Sequence, residues 1–235
     1  MLFAFFTGRY EMKRIRIAAS VAAIFLLLAA CTDKSQEPQE PDVMSRPTEE
    51  RYVTNEIREY KGARLDPSIG PRDNSIKGIQ KVPIEGYSLK IKGLVNQEVA
   101  ISYDDVLEME SVEKLIVLHC VEGWNATVLW KGVRIKSLID LAIAKNSANT
   151  VIFRCYDGYT TSMPLSTILE RDMILAYSSN GVELPPSLGF PFIVVAEDKL
   201  GYKWARWVTE IELSDNNIYM GYWENYGYDN NADIK

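Results

Sequence analysis

The sequence predicts an α+β domain in which mixed β-sheets are interspersed with short helices. Two observations carry that expectation. Stretches rich in β-branched and aromatic residues recur between Tyr87 and Leu213, whereas helical spacing of apolar residues is confined to three short runs. No internal repeat is visible. With 235 residues, 47% of them apolar and 25% charged, the chain has enough material for one sizeable core and too little for two.

The first residues read differently. Lys13, Arg14 and Arg16 form a basic region directly after Met12, which reads as the true start, and Ile17 to Ala30 is an uncharged apolar run. That pattern is a secretory signal rather than a spanning helix. It ends in Leu28-Ala29-Ala30-Cys31, which matches the bacterial lipobox, so residues 1–30 are expected to be removed and Cys31 to carry lipid. Residues 31–54 are rich in Pro, Glu, Gln and Ser, a composition that buries too little to fold, and are expected to tether a folded domain of residues 55–235 to a membrane. Removing residues 1–30 leaves 22 basic against 31 acidic residues, a formal net charge of −9. Such a chain lacks the clustered cations that nucleic-acid binding requires.

Within the folded part, Arg64 to Lys77 is dense in turn formers and reads as an ordered loop across the domain or else a plain connector. Tyr87, Leu89 and Ile91 alternate with polar residues, predicting a strand from Tyr87 towards Val95. Ser102 and Asp105 have capping-box spacing and open a short helix through Val106 and Met109. Lys114 to His119 is a strand, Cys120 to Asn125 a loop, and a short extended piece ends at Trp130. Ile135, Leu138, Ile139 and Ala142 keep helical spacing, predicting a helix from Ile135 to about Lys145. Val151 to Cys155 is a buried strand closed by a turn at Asp157-Gly158. Leu165, Ile168 and Leu169 predict a further short helix. Met173 to Tyr177, Phe192 to Ala196 and Trp204 to Leu213 complete the strands.

The chain has three cysteines. With Cys31 lipidated, Cys120 and Cys155 remain, and in an oxidising compartment such a pair invites a disulfide. Neither has a second Cys or His at zinc spacing. His119 is the sole histidine, and on an extended strand it points away from the face of Cys120. On its own terms Cys120 is a soft metal ligand, a nucleophile, half of a disulfide or an inert thiol.

Cys120-Val121-Glu122-Gly123-Trp124, followed by Trp130-Lys131-Gly132-Val133 and Leu138-Ile139, resembles the molybdenum-binding segment of the sulfite oxidase family of molybdopterin oxidoreductases. The resemblance extends to Tyr87–Val95, Asp157–Leu165, Leu184-Pro185-Pro186, Gly189-Phe190-Pro191, Gly201–Val208 and the tail Tyr222-Trp223-Glu224 with Gly227-Tyr228. It implies a sulfite-oxidase-type molybdopterin-binding fold, a molybdenum-molybdopterin cofactor and Cys120 as the one protein ligand to molybdenum. A lone thiolate suffices there, because the pterin dithiolene brings two further sulfurs. Lys203 and Arg206 would serve the pterin phosphate, with Asn74, Lys77, Tyr159 and Tyr202 as further cofactor contacts. Taken alone, Lys203 and Arg206 read as a solvated strand face. The chain departs from the family pattern at Leu188, where relatives often have Asn or His, and at Ile193, where they usually have Arg. Arg72 to Lys77 or Arg154 would have to supply the missing polar contacts. The signal also lacks the twin-arginine pair usual for exported molybdopterin enzymes, having Lys13-Arg14-Ile15-Arg16.

The function so implied is oxygen-atom transfer to or from a small sulfite-like or sulfoxide-like substrate at the bacterial cell envelope. With no Cys-x-x-Cys-His haem motif, electrons would pass to or from a separate protein, a cytochrome or a membrane redox subunit. A monomer is expected, held to the membrane by its lipid and facing the periplasm or exterior. A sulfite site would need converging arginines, for which Arg134 and Arg154 are candidates. The aromatic tail Tyr219–Tyr228 reads as a strap across the domain, with packing over the site or a docking surface as the alternatives. The rival reading is a cofactor-free envelope lipoprotein that uses the same fold for binding or scaffolding, with a Cys120–Cys155 disulfide.

Overall fold

The computed structural model describes residues 48–234; the signal segment, Cys31 and the tether up to residue 47 lie outside them. The described chain opens with helix α1 (Thr48–Asn55), inside the stretch expected to be plain tether. That expectation is corrected by Tyr52, which is buried in the core and whose hydroxyl bonds to Ser179. One aromatic with a partnered hydroxyl docks an otherwise polar segment. Next to it Glu56 is buried, accepts from the Ser68 backbone and the Asn180 amide at 2.8 Å each, and pairs with Arg58 at 2.8 Å. The folded domain therefore includes the helix Thr48–Asn55, ahead of the boundary expected at residue 55.

A two-residue hairpin follows, β1 (Glu59–Tyr60) with β2 (Ala63–Arg64), and then the long loop to β3 (Leu89–Gly93) and β4 (Val99–Ile101). Leu89 and Ile91 point into the core and Lys90 to solvent, as the alternation of the sequence requires. Helix α2 (Tyr103–Glu108) carries the predicted capping box, with the Ser102 hydroxyl and the Asp105 carboxylate each serving the other's backbone N–H. Strands β5 (Ser111–His119) and β6 (Asn125–Arg134) form a long hairpin, twice the extended length predicted after Cys120. Helix α3 (Ile135–Ala142) stops where Ile143 turns left-handed, short of the predicted Lys145. After it come β7 (Thr150–Cys155), β8 (Thr160–Pro164), α4 (Leu165–Glu170), β9 (Ile174–Ser179), β10 (Val182–Glu183), β11 (Ile193–Val195) and β12 (Val208–Ser214).

The strands make two five-stranded sheets. One is antiparallel, in the order β10-β9-β6-β5, with β11 also paired to β9. The other, β4-β3-β12-β7-β8, is mixed because β12 runs parallel to β3 and antiparallel to β7. Buried side chains from both sheets and from α2, α3 and α4 form one continuous core. The predicted α+β class with mixed sheets is the class observed.

The segment Trp204–Leu213 differs from the single strand expected. Gly201–Lys203 is a 3-10 turn, Trp207 takes a left-handed φ of 56°, and the strand begins only at Val208. A bulky residue in that region is strained. Trp207 is held there by its indole N–H donating to Pro186 O at 2.8 Å and by its backbone N–H donating to Gly189 O at 3.2 Å. Among the described residues no helix is long and apolar enough to cross a membrane.

Candidate active site

The β5–β6 ladder keeps register from Ser111↔Val133 to His119↔Asn125 and leaves a five-residue loop, Cys120–Trp124, at its end. Cys120 N–H donates to Trp124 O at 2.9 Å and Gly123 N–H to Cys120 O at 3.1 Å, with Gly123 at φ +87°, which glycine adopts without a steric penalty. His119 forms a parallel bridge with Leu200, which lays Gly201 beside the loop. A Cβ on Gly201 would sit 3.7 Å from Cys120 Cα.

Burial pushes the Cys120 thiol up, and the Glu122 carboxylate beside it adds to that, against the backbone hydrogen bonds that favour the thiolate. The carboxylate Oε2 stands 4.0 Å from Sγ. Left to itself the sulfur keeps its proton, so a bound cation must supply the positive charge that makes it a ligand. Glu122 is held below the usual carboxylate range chiefly by the Trp124 indole N–H at 3.1 Å, then by Asn74 and Arg72. The Arg72 contact is loose, 3.6 Å.

Cys120 opens onto a cavity of about 500 Å³. The loop of residues 68–79 forms part of its wall and lies so close on Trp124 that a Cβ on Gly70 would come within 2.6 Å of the indole. Arg206 brings the main cation. Its guanidinium donates to Ser187 O at 2.8 Å, pairs with Asp73 at 2.9 Å and stacks over Trp207 at 4.5 Å. Burial pulls the Asp73 carboxyl upward, but the Ser75 hydroxyl and Arg206 prevail and hold it below its ordinary value. The Ser187 hydroxyl, on the same wall, is buried without a partner.

The structure brings Cys120, Asn74, Tyr159, Tyr202 and Arg206 together on this cavity and leaves two of the anticipated cofactor residues off its wall. Lys77 is exposed beside the Asp157–Gly158 turn. Lys203 is wholly buried in an ion pair with Glu224, so the solvated strand face predicted from its surroundings is corrected. Tyr159 donates its hydroxyl to Tyr202 O, and burial pushes its phenol far up. The Tyr202 phenol is pushed up to about 12, mainly by burial. Leu188 and Ile193, the two departures from the family pattern, both line the cavity, so its wall is apolar there. Arg134 is engaged with Glu110 and Asp172 at 3.1 Å each, and Arg154 with Glu212 at 2.7 Å; neither lines the cavity. The disulfide considered between Cys120 and Cys155 is not formed. The two thiols are free and belong to different sheets, Cys155 ending β7 in the mixed one.

Sequence reasoning missed Asp73 and Ser187. Their roles depend on what the loops meet in space, and a motif search has no local signal for either. Trp223 and Tyr228 lie in the tail read as a strap, and they line the cavity as well.

Three comparisons bear on this geometry. The model of the oxidoreductase molybdopterin binding domain matches residues 77–223. The uncharacterized oxidoreductase YuiH of Bacillus subtilis is 34% identical over 143 residues, covering 60% of this chain and 72% of that protein. A putative protein-methionine-sulfoxide reductase subunit, YedZ1 of Azospira oryzae, is 33% identical over 150 residues, 64% of this chain and 57% of that one. The sulfane dehydrogenase SoxCD from Paracoccus pantotrophus superposes with a TM-score of 0.57 at 20% identity, over 60% of this chain and 41% of that one, a likeness of fold. The chain belongs to the oxidoreductase molybdopterin-binding domain family. It is a molybdenum-dependent oxidoreductase with the sulfite-oxidase-type fold, and its cofactor is molybdenum-molybdopterin.

The cavity fits that group. Among the described residues no cluster of three or more His, Cys, Asp or Glu could hold a metal by itself. A metal arriving with its own dithiolene sulfurs needs one further soft ligand, and Cys120 is placed to be it. Arg206 and the unpartnered Ser187 hydroxyl offer donors to an anionic group.

Proposed function

We propose that this chain reduces a small sulfoxide-type substrate at the cell envelope, with electrons delivered by a separate redox protein. One observation carries the choice of substrate. No cluster of uncompensated arginines of the kind a sulfite site would need converges here: Arg134 and Arg154 pair with carboxylates off the cavity, and the two arginines on its wall each face a carboxylate, Arg206 Asp73 at 2.9 Å and Arg72, loosely, Glu122 at 3.6 Å. Much of the remaining lining is aromatic, including Trp124, Tyr202, Trp223 and Tyr228. Such a wall suits an uncharged substrate better than a dianion. The relatives named as protein-methionine-sulfoxide reductases support the same choice.

When bound, the cofactor supplies two-electron oxygen-atom chemistry at its metal. In the net change a sulfoxide takes up a pair of electrons and a pair of protons, its sulfur–oxygen bond breaks, and the products are the sulfide and water. Cys120 would hold the metal through its sulfur, giving up its proton to become the ligand. Arg206, the Ser187 hydroxyl and the Asn74 amide would orient the anionic and polar parts of the cofactor, and the Trp124 carbonyl, accepting from Cys120 N–H, closes the loop that presents the thiol. The apolar run Ile17–Ala30 and the Leu-Ala-Ala-Cys31 sequence support export and lipid anchoring.

The test is metal and pterin analysis of protein isolated from its native envelope, followed by two assays: sulfoxide reduction with reduced viologen, and sulfite oxidation with ferricyanide. About one molybdenum per chain with sulfoxide turnover supports the proposal. Sulfite turnover alone reverses the substrate assignment, and metal-free protein favours the binding-module reading.

A further inference from the structure

Lys203 and Glu224 are both completely withdrawn from solvent. A lysine ammonium has three protons to donate. Here they go to Ser162 O at 2.9 Å, Glu224 Oε1 at 2.5 Å and Asn230 Oδ1 at 3.1 Å, so none is left for a ligand. The same Glu224 oxygen accepts from the Thr161 hydroxyl at 2.7 Å. Turning the lysine towards a phosphate would strand a buried carboxylate without its partner, a far worse arrangement than the one observed.

What the pair accomplishes follows from the chain it joins. Lys203 ends the 3-10 turn that carries Tyr202 onto the cavity wall. Glu224 and Asn230 belong to the C-terminal segment, which is seated so tightly that a Cβ on Gly221 would lie 2.3 Å from Thr160 O. Beside and between those anchors the segment carries Trp223 and Tyr228 to the cavity. The Tyr228 ring meets Tyr202 edge-on at 5.2 Å and Trp223 at 5.4 Å. The Tyr202 hydroxyl donates to Asp229 O at 2.7 Å, a second stitch between turn and tail.

We infer that the Lys203–Glu224 pair is a positioning element that fixes an aromatic rim of Tyr202, Trp223 and Tyr228, and that this rim selects sulfoxides whose sulfur carries an apolar arm. The selectivity half rests on the function proposed above; the positioning half does not. Aromatic faces and edges attract both apolar groups and divalent sulfur, and Tyr and Trp present them with little conformational freedom to lose. Lys203 thereby acts on the substrate side through the tail, although its position in the sequence suggests a phosphate contact.

The test uses molybdenum-loaded enzyme with methyl p-tolyl sulfoxide and dimethyl sulfoxide as paired substrates. Trp223→Ala is expected to raise KM for the aryl sulfoxide about tenfold, with a smaller change for dimethyl sulfoxide and molybdenum per chain unchanged. Glu224→Gln is expected to shift KM in the same sense and to speed hydrogen exchange at tail amides 219–230 while retaining molybdenum. If Glu224→Gln does not fold, the double variant Lys203→Met/Glu224→Met removes both charges and is read by the same tail exchange. Loss of molybdenum with the tail still protected would assign Lys203 to the cofactor and overturn the positioning role. An unchanged KM ratio in Trp223→Ala overturns the selectivity. Wild-type enzyme that reduces no sulfoxide overturns the proposed function and the selectivity together, and tail exchange still decides the positioning.

Discussion

Two parts of the cavity wall are built by different means. The part that carries Cys120 hangs from nine consecutive residue pairs between β5 and β6, a backbone ladder that ends in a loop closed by its own hydrogen bonds. The part that carries Tyr202, Trp223 and Tyr228 has no continuous ladder; it is a 3-10 turn and an irregular tail held by scattered backbone bonds, such as Leu200 N–H to Ala232 O at 2.9 Å, and by side chains, chief among them Lys203 and Glu224. A ladder spreads positional control over many equivalent bonds, so no single side chain is indispensable to it. A side-chain tie concentrates control in one or two groups. The Cys120 side of the site is thus the robust part, and the side carrying Tyr202, Trp223 and Tyr228 is the part that a few substitutions would alter.

The sharpest way to break that contrast is Cys120→Ser. The ladder holds the loop whatever residue stands there, so the protein should stay folded with unchanged circular dichroism while molybdenum content and turnover fall by at least about a hundredfold. Metal retained in this variant would show that Cys120 is not the ligand. Lys203→Ala should do the reverse, sparing the loop and costing stability of about 3–5 kcal/mol by leaving Glu224 buried and alone. Thermal unfolding should then fall by roughly 10 °C. A shift within a degree or two would mean that the tail is held by its aromatic contacts instead.

Ser102→Ala, which removes the cap of α2 away from both walls, should cost about 1 kcal/mol and leave KM untouched. Asp73→Asn should have the smallest effect on stability, below about 1 kcal/mol, since the pair with Arg206 is partly open to solvent. Its pH dependence has a definite sign. The folded carboxyl titrates below its ordinary value, so its contribution is present at neutral pH and is lost as pH falls through the ordinary carboxyl range to the folded value. The stability difference between wild type and Asp73→Asn, measured by urea unfolding, should therefore narrow as acid is added. A difference that widens in acid would contradict the pairing.

Much of this molecule was legible in the sequence wherever near neighbours decide the outcome. The alternation at Leu89–Ile91, the helical spacing at Ile135–Ala142 and the Ser102/Asp105 capping box each became the element expected. Where distant partners decide, local reading went astray. Tyr52 looked like part of a polar tether until the Ser179 hydroxyl and the core gave it a place. Thr160–Pro164, to which local patterning assigned no element, is an edge strand because β7 offers it a ladder. Trp204–Trp207 read as strand and became a turn with a strained residue, because Pro186 and Gly189 hold the indole and its backbone.

By itself, then, the sequence determined the fold class, the family and the position of Cys120 at the end of a strand. Those rest on periodicity and on residues adjacent in the chain. Only the tertiary structure decided what the two cations of Lys203-Trp204-Ala205-Arg206 do. They stand three residues apart, yet Arg206 reaches the cavity while Lys203 turns inward to Glu224. The physical reason is that a charge withdrawn from water must be paired, and its partner lies twenty-one residues further along a tail whose path the fold alone sets.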